Sequence, residues 1–277
     1  MKFERPRPST CHLPMKPEYV TYQISPHARV SCTECHVGPG ATWYVRYKIN
    51  GVRMLYCTLA NKIERPIKTP IKNLRPAQET CEHCHWPQKF VGNLERTYSH
   101  FLADETNTPF TVRMLLNVGG GEPSSGREGG IHWHMNLGNK IEYAASDEQR
   151  QVIPWVRFTD PLGVVTEYRT PNFTNDPAKL GIRTMDCMDC HNRPAHHLRA
   201  PSDSVDIAMT VGRIDPGLSW VKSNGVSVLT QEYSTESEAV KKIADALRSR
   251  YPAYPKIDSL VAEAQTIYTK SFFPEMK

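Results

Sequence analysis

What the chain lacks narrows its reading first. No apolar run reaches the length of a membrane span, and Met1-Lys2-Phe3-Glu4-Arg5 does not resemble a signal peptide. No Walker-type lysine or Rossmann context follows Gly119-Gly120-Gly121 or Gly129-Gly130, so these glycines fit hairpin connections rather than a phosphate cradle. Nucleic-acid motifs are missing too, and no nucleic-acid partner is expected. Apolar residues make up only 39% of the 277 positions and 22 residues are proline, so a core built from protein alone would be thin.

What the chain has instead is one motif three times over: Cys32-Thr33-Glu34-Cys35-His36, Cys81-Glu82-His83-Cys84-His85 and Cys187-Met188-Asp189-Cys190-His191. Two cysteines at this spacing can take the two vinyl groups of one porphyrin as thioethers, and the adjoining histidine can then ligate the iron from one face. A zinc ribbon or a redox dithiol would need no histidine directly after the second cysteine. With 11 histidines in 277 residues, chance places one after all three pairs on the order of once in ten thousand tries. Zinc sites built from four cysteines would also consume the pairs two at a time and leave one over. The pattern reads as covalent haem c, three per chain, with iron bound by His36, His85 and His191.

Haem also accounts for the composition. Porphyrin faces provide the apolar contact that a proline-rich, loop-rich backbone lacks. The formal charge of +5 is offset as well, because three haems carry about six propionate charges. Six of the eight cysteines are assigned to haem, so no disulfide framework is needed. Haem attachment of this kind implies assembly outside the cytoplasm, with any leader or anchor expected to lie outside this sequence.

Ahead of these motifs, Pro8-Ser9-Thr10-Cys11-His12 is a CxxCH with proline at its first position. One thioether and one histidine remain, so Cys11-His12 is the site of an expected fourth haem, a relic site being the alternative. Met15 is either a thioether ligand there, which would raise the potential relative to two histidines, or a core methionine. His27 stands too close in sequence to the first complete motif to serve that haem and is expected to cap a neighbouring one. Residues 41–59 alternate weakly, and Cys57 within them reads as a buried thiol. Pro66, Pro70 and Pro76 punctuate an extended connector.

Five short strands are expected between the second and third motifs, at residues 111–117, 130–136, 140–145, 151–158 and 164–168, forming a small antiparallel β subdomain. His132 and His134 would share one face of such a strand, with at least one of them an axial ligand. After the third motif come His196 and His197, then helices. Thr235-x-x-Glu238 is a capping box ahead of Val240, Ile243 and Leu247, and Pro252 and Pro255 end that helix. Leu260, Val261, Ala264, Ile267 and Tyr268 make a second stripe, and both stripes are expected to bury within the protein. The fold class is therefore α+β with high loop content, wrapped around stacked haems. Its expected parts are 1–107 with one partial and two complete motifs, the β subdomain over 108–172, and 173–277 with the third motif and C-terminal helices.

Distal iron ligands are sought among His27, His100, His132, His134 and His196, with His83 and His197 in reserve. That supply exceeds the need, which favours six-coordinate, low-spin haems and electron transfer over an open catalytic iron. The alternatives are a haem subunit of a larger conducting assembly, such as a filament or membrane complex, and a multihaem reductase with one open haem.

Several stretches resemble the NapC/NirT-type multihaem cytochromes c: Ser25-Pro26-His27-Ala28-Arg29-Val30, Val37 to Ala41, Asn73 to Cys81, Gly130 to His134, Gln151 to Arg157 and Met185 to His196. The resemblance runs from Cys11 onward. It implies a membrane-associated, periplasm-facing electron-transfer protein taking electrons from quinol or a quinol-oxidising partner near the first haem, and passing them to redox partner proteins. Within it, Cys11, His12 and Met15 match the first haem site, whereas Pro8 stands where that family has a cysteine. The family's amino-terminal membrane helix is not in this sequence, and longer relatives continue into further haem motifs, so the chain is expected to be a fragment.

Overall fold

A computed structural model describes residues 14–63, 67, 75–86, 90–119, 129–135 and 138–274. Cys11-His12, Pro66 and Pro70 lie outside these residues, as do the expectations placed on them.

The described residues open with α1 (Lys16–Gln23), α2 (Cys32–His36, the first complete motif) and α3 (Ala41–Leu59). Two 3-10 turns follow, Ala77–Glu79 and Cys81–His83, the latter opening the second motif. Strands β1 (Asn93–Phe101) and β2 (Pro109–Asn117) form an antiparallel hairpin. A second, four-stranded antiparallel sheet has the order β5-β4-β3-β6, from β3 (Lys140–Ala144), β4 (Trp155–Thr159), β5 (Val165–Arg169) and β6 (Ile182–Thr184). The third motif forms the short helix α4 (Cys187–Cys190), and α5 (Pro201–Thr210), α6 (Val221–Thr230), α7 (Glu236–Arg250) and α8 (Ile257–Ser271) complete the chain.

The hydrophobic core sits in the last four helices, where Val205, Val221, Val228, Ile243 and Leu247 are fully enclosed. The α8 stripe expected there is present, and on α7 Ile243 and Leu247 are buried with Ala239 and Ala244 while Val240 is half-buried. Thr235 caps α7 by accepting from the Glu238 amide at 3.1 Å, while the Glu238 carboxylate reaches back to the Ser234 amide at 2.9 Å. Leu260, Val261, Ala264, Ile267 and Tyr268 are all buried along α8. The haem-motif half is different: α2, α3, α4 and the Cys81–His83 turn bury no residue at all.

The β1–β2 hairpin is fastened to the helices by polar contacts. Asp206 of α5 accepts from the Phe101 amide at 3.1 Å and pairs with Lys222 of α6, whose ammonium also donates to Ser202 O at 2.8 Å. Asn107, buried in the hairpin turn, donates to Pro216 O and Leu218 O and accepts from the Lys222 amide.

Four expectations fail. Residues 41–59 are one 19-residue helix rather than an alternating segment, because their apolar side chains occupy two helical faces. Cys57 on that helix is half-buried, not enclosed. The stretch around His132 and His134 is a turn with a 3-10 segment, Trp133–Met135, because Gly129 and Gly130 have φ of 142° and 106° and redirect the chain. Residues 151–154 precede β4 rather than belonging to it, and β1, β6 and α6 were not anticipated.

Candidate haem-binding site

Each CxxCH is presented by a short helical turn held from outside. Ser31 caps α2 by accepting from the Thr33 amide at 3.3 Å. The second motif is tied to the first by Arg75, which pairs with Glu79 at 2.7 Å and donates to Pro39 O at 2.7 Å and Val37 O at 3.3 Å. Gly38 makes this approach feasible: its φ is +65°, and a Cβ there would lie 2.2 Å from the Arg75 guanidinium.

The third motif hangs on the four-stranded sheet. Asp186 caps α4 by accepting from the Met188 amide at 2.8 Å and pairs with Arg183 of β6 at 2.9 Å. Asp189, between the two cysteines, accepts from Tyr143 Oη at 2.7 Å, Arg183 Nε at 2.9 Å, Arg150 Nη1 at 3.3 Å and the Asp186 amide at 2.8 Å. Burial alone would raise the Asp189 carboxyl, but these donors outweigh it and hold it below the usual carboxylate range. Burial and the bond to Asp189 push the Tyr143 hydroxyl up to about 12.

The described motif cysteines are all free thiols, and Cys32, Cys35, Cys84 and Cys190 are exposed. The third motif adjoins the second, with α4 packed against the Ala77–Glu79 turn that precedes Cys81.

Three of the five distal candidates each have a ring centre within 6.0 to 6.4 Å of one motif histidine. His27 stands opposite His85 with ring centres 6.0 Å apart, His196 opposite His36 at 6.2 Å, and His132 opposite His191 at 6.4 Å. Two imidazoles on opposite sides of one iron need centres about 6 Å apart, since each metal–nitrogen bond is about 2 Å and the ring centre lies about 1 Å behind the nitrogen.

The same three histidines turn Nδ1 away, each toward a backbone carbonyl: His27 to Pro194 O at 3.2 Å, His196 to Glu18 O at 2.8 Å and His132 to Val118 O at 2.8 Å. A carbonyl accepts only, so Nδ1 carries the proton and Nε2 keeps its lone pair for a metal. The donor set and its spacing fit haem. Burial, and then the neighbouring His196, hold the His36 imidazole below its usual range.

The remaining candidates stand elsewhere. His134 lies beside His132 at 6.4 Å, with burial lowering its pKa. His100 of β1 stacks on Phe110 at 5.3 Å and places Nδ1 3.0 Å from Asp206 Oδ2. With Asp203 and Asp206 it forms a group of metal-ligand type, in which Lys222 already neutralises Asp206. Met15 is 39% exposed, which removes the core-methionine reading. The Tyr143–Asp189–Arg183 anchor and the Arg75 clamp were missed in the sequence. The acidic residue inside the third motif was the one available signal.

Paired thiols, each pair followed by a histidine that faces a second histidine, are the features of a c-type cytochrome. The chain is 42% identical to the cytochrome c-type protein ImcH of Geobacter sulfurreducens over 279 residues, covering 96% of this chain and 54% of that protein. The similarity supports a c-type cytochrome with covalently bound haem c. The chain thus spans about half the length of the curated relative it matches. No protein-family model matches it, and no solved structure does.

Proposed function

We propose that the chain is an electron-transfer segment of NapC/NirT kind that holds three haems c, each with two histidine ligands: His36 with His196, His85 with His27, and His191 with His132. The observation that carries this reading is the coincidence of two independent features in the same three histidines, namely the spacing of 6.0 to 6.4 Å and the engaged Nδ1. Cys32 and Cys35, Cys81 and Cys84, and Cys187 and Cys190 form the thioethers. A haem c so held supplies a reversible one-electron couple.

The protein's part is to fix the ligands. Distal histidines come from segments remote from the motif they face, so His196 is held by α1, His132 by the end of β2 and His27 by the loop after the third motif. Rigid ligands on both sides keep the iron environment alike in its two oxidation states, which favours fast transfer. The Arg75 bonds between the first two motifs and the packing of α4 against the Ala77–Glu79 turn support a path in motif order, first to second to third. Since every described motif histidine faces another, the electron-transfer reading is favoured over a reductase with an open haem. The donor is a quinol or quinol-oxidising partner and the acceptor a redox protein on the periplasmic or extracellular side.

Intact mass with a pyridine haemochrome assay and electron paramagnetic resonance tests this. Low-spin signals from all haems are expected; a high-spin signal with cyanide-sensitive turnover would overturn it in favour of a reductase.

A further inference from the structure

α3 has an outward face that the haem site leaves unexplained. Its half-buried residues, Trp43, Cys57 and Thr58, point to one side, and Arg75 lies over the Trp43 ring at 5.5 Å, so this side adjoins the loops of the first two motifs. At 3.6 residues per turn, Val45, Ile49, Val52, Leu55, Tyr56 and Leu59 fall within an arc of about 120° centred on the opposite side. They include the barest apolar side chains of the helix: Leu59 is 79% exposed, Val52 70% and Ile49 68%, against 44% for Tyr47 and 42% for Met54 nearer the protein. Exposed apolar surface on this scale marks an interaction site.

The charges around the stripe indicate what covers it. Residues 41–62 contain Arg46, Lys48, Arg53 and Lys62 and no acidic residue. Arg46 and Arg53 start along one edge of the stripe, the Arg46 guanidinium lying over the Trp43 ring at 5.2 Å, and Lys48 falls within the arc of the stripe. Lys48 and Lys62 bend over the rings of Tyr44 and Tyr56, at 5.2 and 5.5 Å, as long cationic side chains do at an apolar–aqueous boundary. The helix is not long and apolar enough to cross a bilayer. A helix with a broad apolar stripe, aromatic residues and only basic charge suits the plane of an anionic lipid surface.

We propose that α3 is an interfacial anchor that lies on an anionic phospholipid bilayer, its Val45–Val52–Leu59 stripe in the acyl boundary and its basic side chains on lipid phosphates. This goes beyond the haem assignment and does not depend on it. On the electron-transfer reading, on which this last step alone rests, the loops of the first two haem motifs, which adjoin the other side of α3, would stand one helix diameter from the membrane.

The test is flotation of the purified holoprotein with vesicles of phosphatidylcholine, with and without phosphatidylglycerol. Flotation with the anionic vesicles, weakened by salt, is expected. The Arg46→Gln/Arg53→Gln variant should partition on the order of thirty-fold more weakly. A Val52→Glu/Leu59→Glu variant should lose binding while its haem content and visible spectrum stay those of the parent. Three results would each overturn the proposal: no flotation of the holoprotein, flotation of the Glu variant equal to the parent, or a holoprotein dimer that this variant dissociates, which would mean that a second copy covers the stripe. Loss of haem from the Glu variant would show that the stripe covers a haem, and equally overturns it. A haem-free protein that still floats would sink the functional reading alone.

Discussion

The His27 and His85 rings stand with centres 6.0 Å apart and planes at 64°, and His27 is steered there by the Pro194 carbonyl from beyond the third motif. A ligand from the first segment, a motif from the second and a carbonyl from the third thus meet at one haem position. Replacing His27 with methionine should exchange an imidazole for a thioether at that haem alone and raise its potential, while His27→Ala should make one haem high-spin. Redox titration and electron paramagnetic resonance read both. Potentials and spin states unchanged in both variants would reject the pairing.

The cysteine pairs should act independently in attaching haem, since each lies on its own short helical turn. A Cys187→Ala/Cys190→Ala variant is expected to lose one haem equivalent by haemochrome assay and one haem by intact mass. Because Asp189 remains bonded to Tyr143 and Arg183, far-ultraviolet circular dichroism should change little. Loss of every haem would show instead that the motifs load only as a unit.

The haem motifs were legible because thioether chemistry demands a fixed local spacing. α7 and α8 were legible because Thr235 and the stripe at Leu260 to Tyr268 each declare one helical face. α3 was hidden, since Trp43, Tyr47 and Met54 lie on one face and Val45, Val52 and Leu59 on another, which in one dimension looks like weak alternation. The ligand pairs were beyond reach for a different reason. His196 is oriented by Glu18, 178 residues away, and no local pattern encodes such a contact.

Lys222 and Asp206 form a buried pair at which α5, α6 and β1 meet, with side chains 5% and 4% exposed. Lys222→Met would leave the Asp206 carboxylate enclosed with only the Phe101 amide, His100 and no cation. A loss of about 3–5 kcal/mol is expected in denaturant unfolding followed by circular dichroism. The Lys222→Met/Asp206→Leu double variant should recover part of it, because an apolar pair leaves no unpaired charge. A double variant worse than the single would refute this account.

Glu142 of β3 accepts two bonds from Arg157, at 2.9 and 2.7 Å, and pairs with Lys140 at 2.9 Å. Burial raises its carboxyl, yet Lys140 and Arg157 outweigh burial and the net direction is down. A depressed carboxyl contributes stability above its unfolded value of about 4.3, and that contribution disappears as pH falls through the folded value. Glu142→Gln should therefore be less stable than the parent at neutral pH, with the gap closing below about pH 4. A gap that stays constant or widens on acidification would contradict the sign.

Gly38 and Arg75 should be coupled, because the guanidinium occupies the space a Cβ at residue 38 would need. Gly38→Ala must strain a backbone at φ +65° and also push Arg75 off the Val37 and Pro39 carbonyls. Backbone strain of this kind costs about 1–3 kcal/mol, and the lost hydrogen bonds add to it. Arg75→Ala loses the bonds but opens the space. In the double variant the steric part vanishes, so the two costs should sum to less than their separate values by about 0.5–3 kcal/mol, the range for residues in contact. Denaturant midpoints of the four proteins measure this coupling. Strict additivity would mean that the clamp between the first and second haem motifs bears no load.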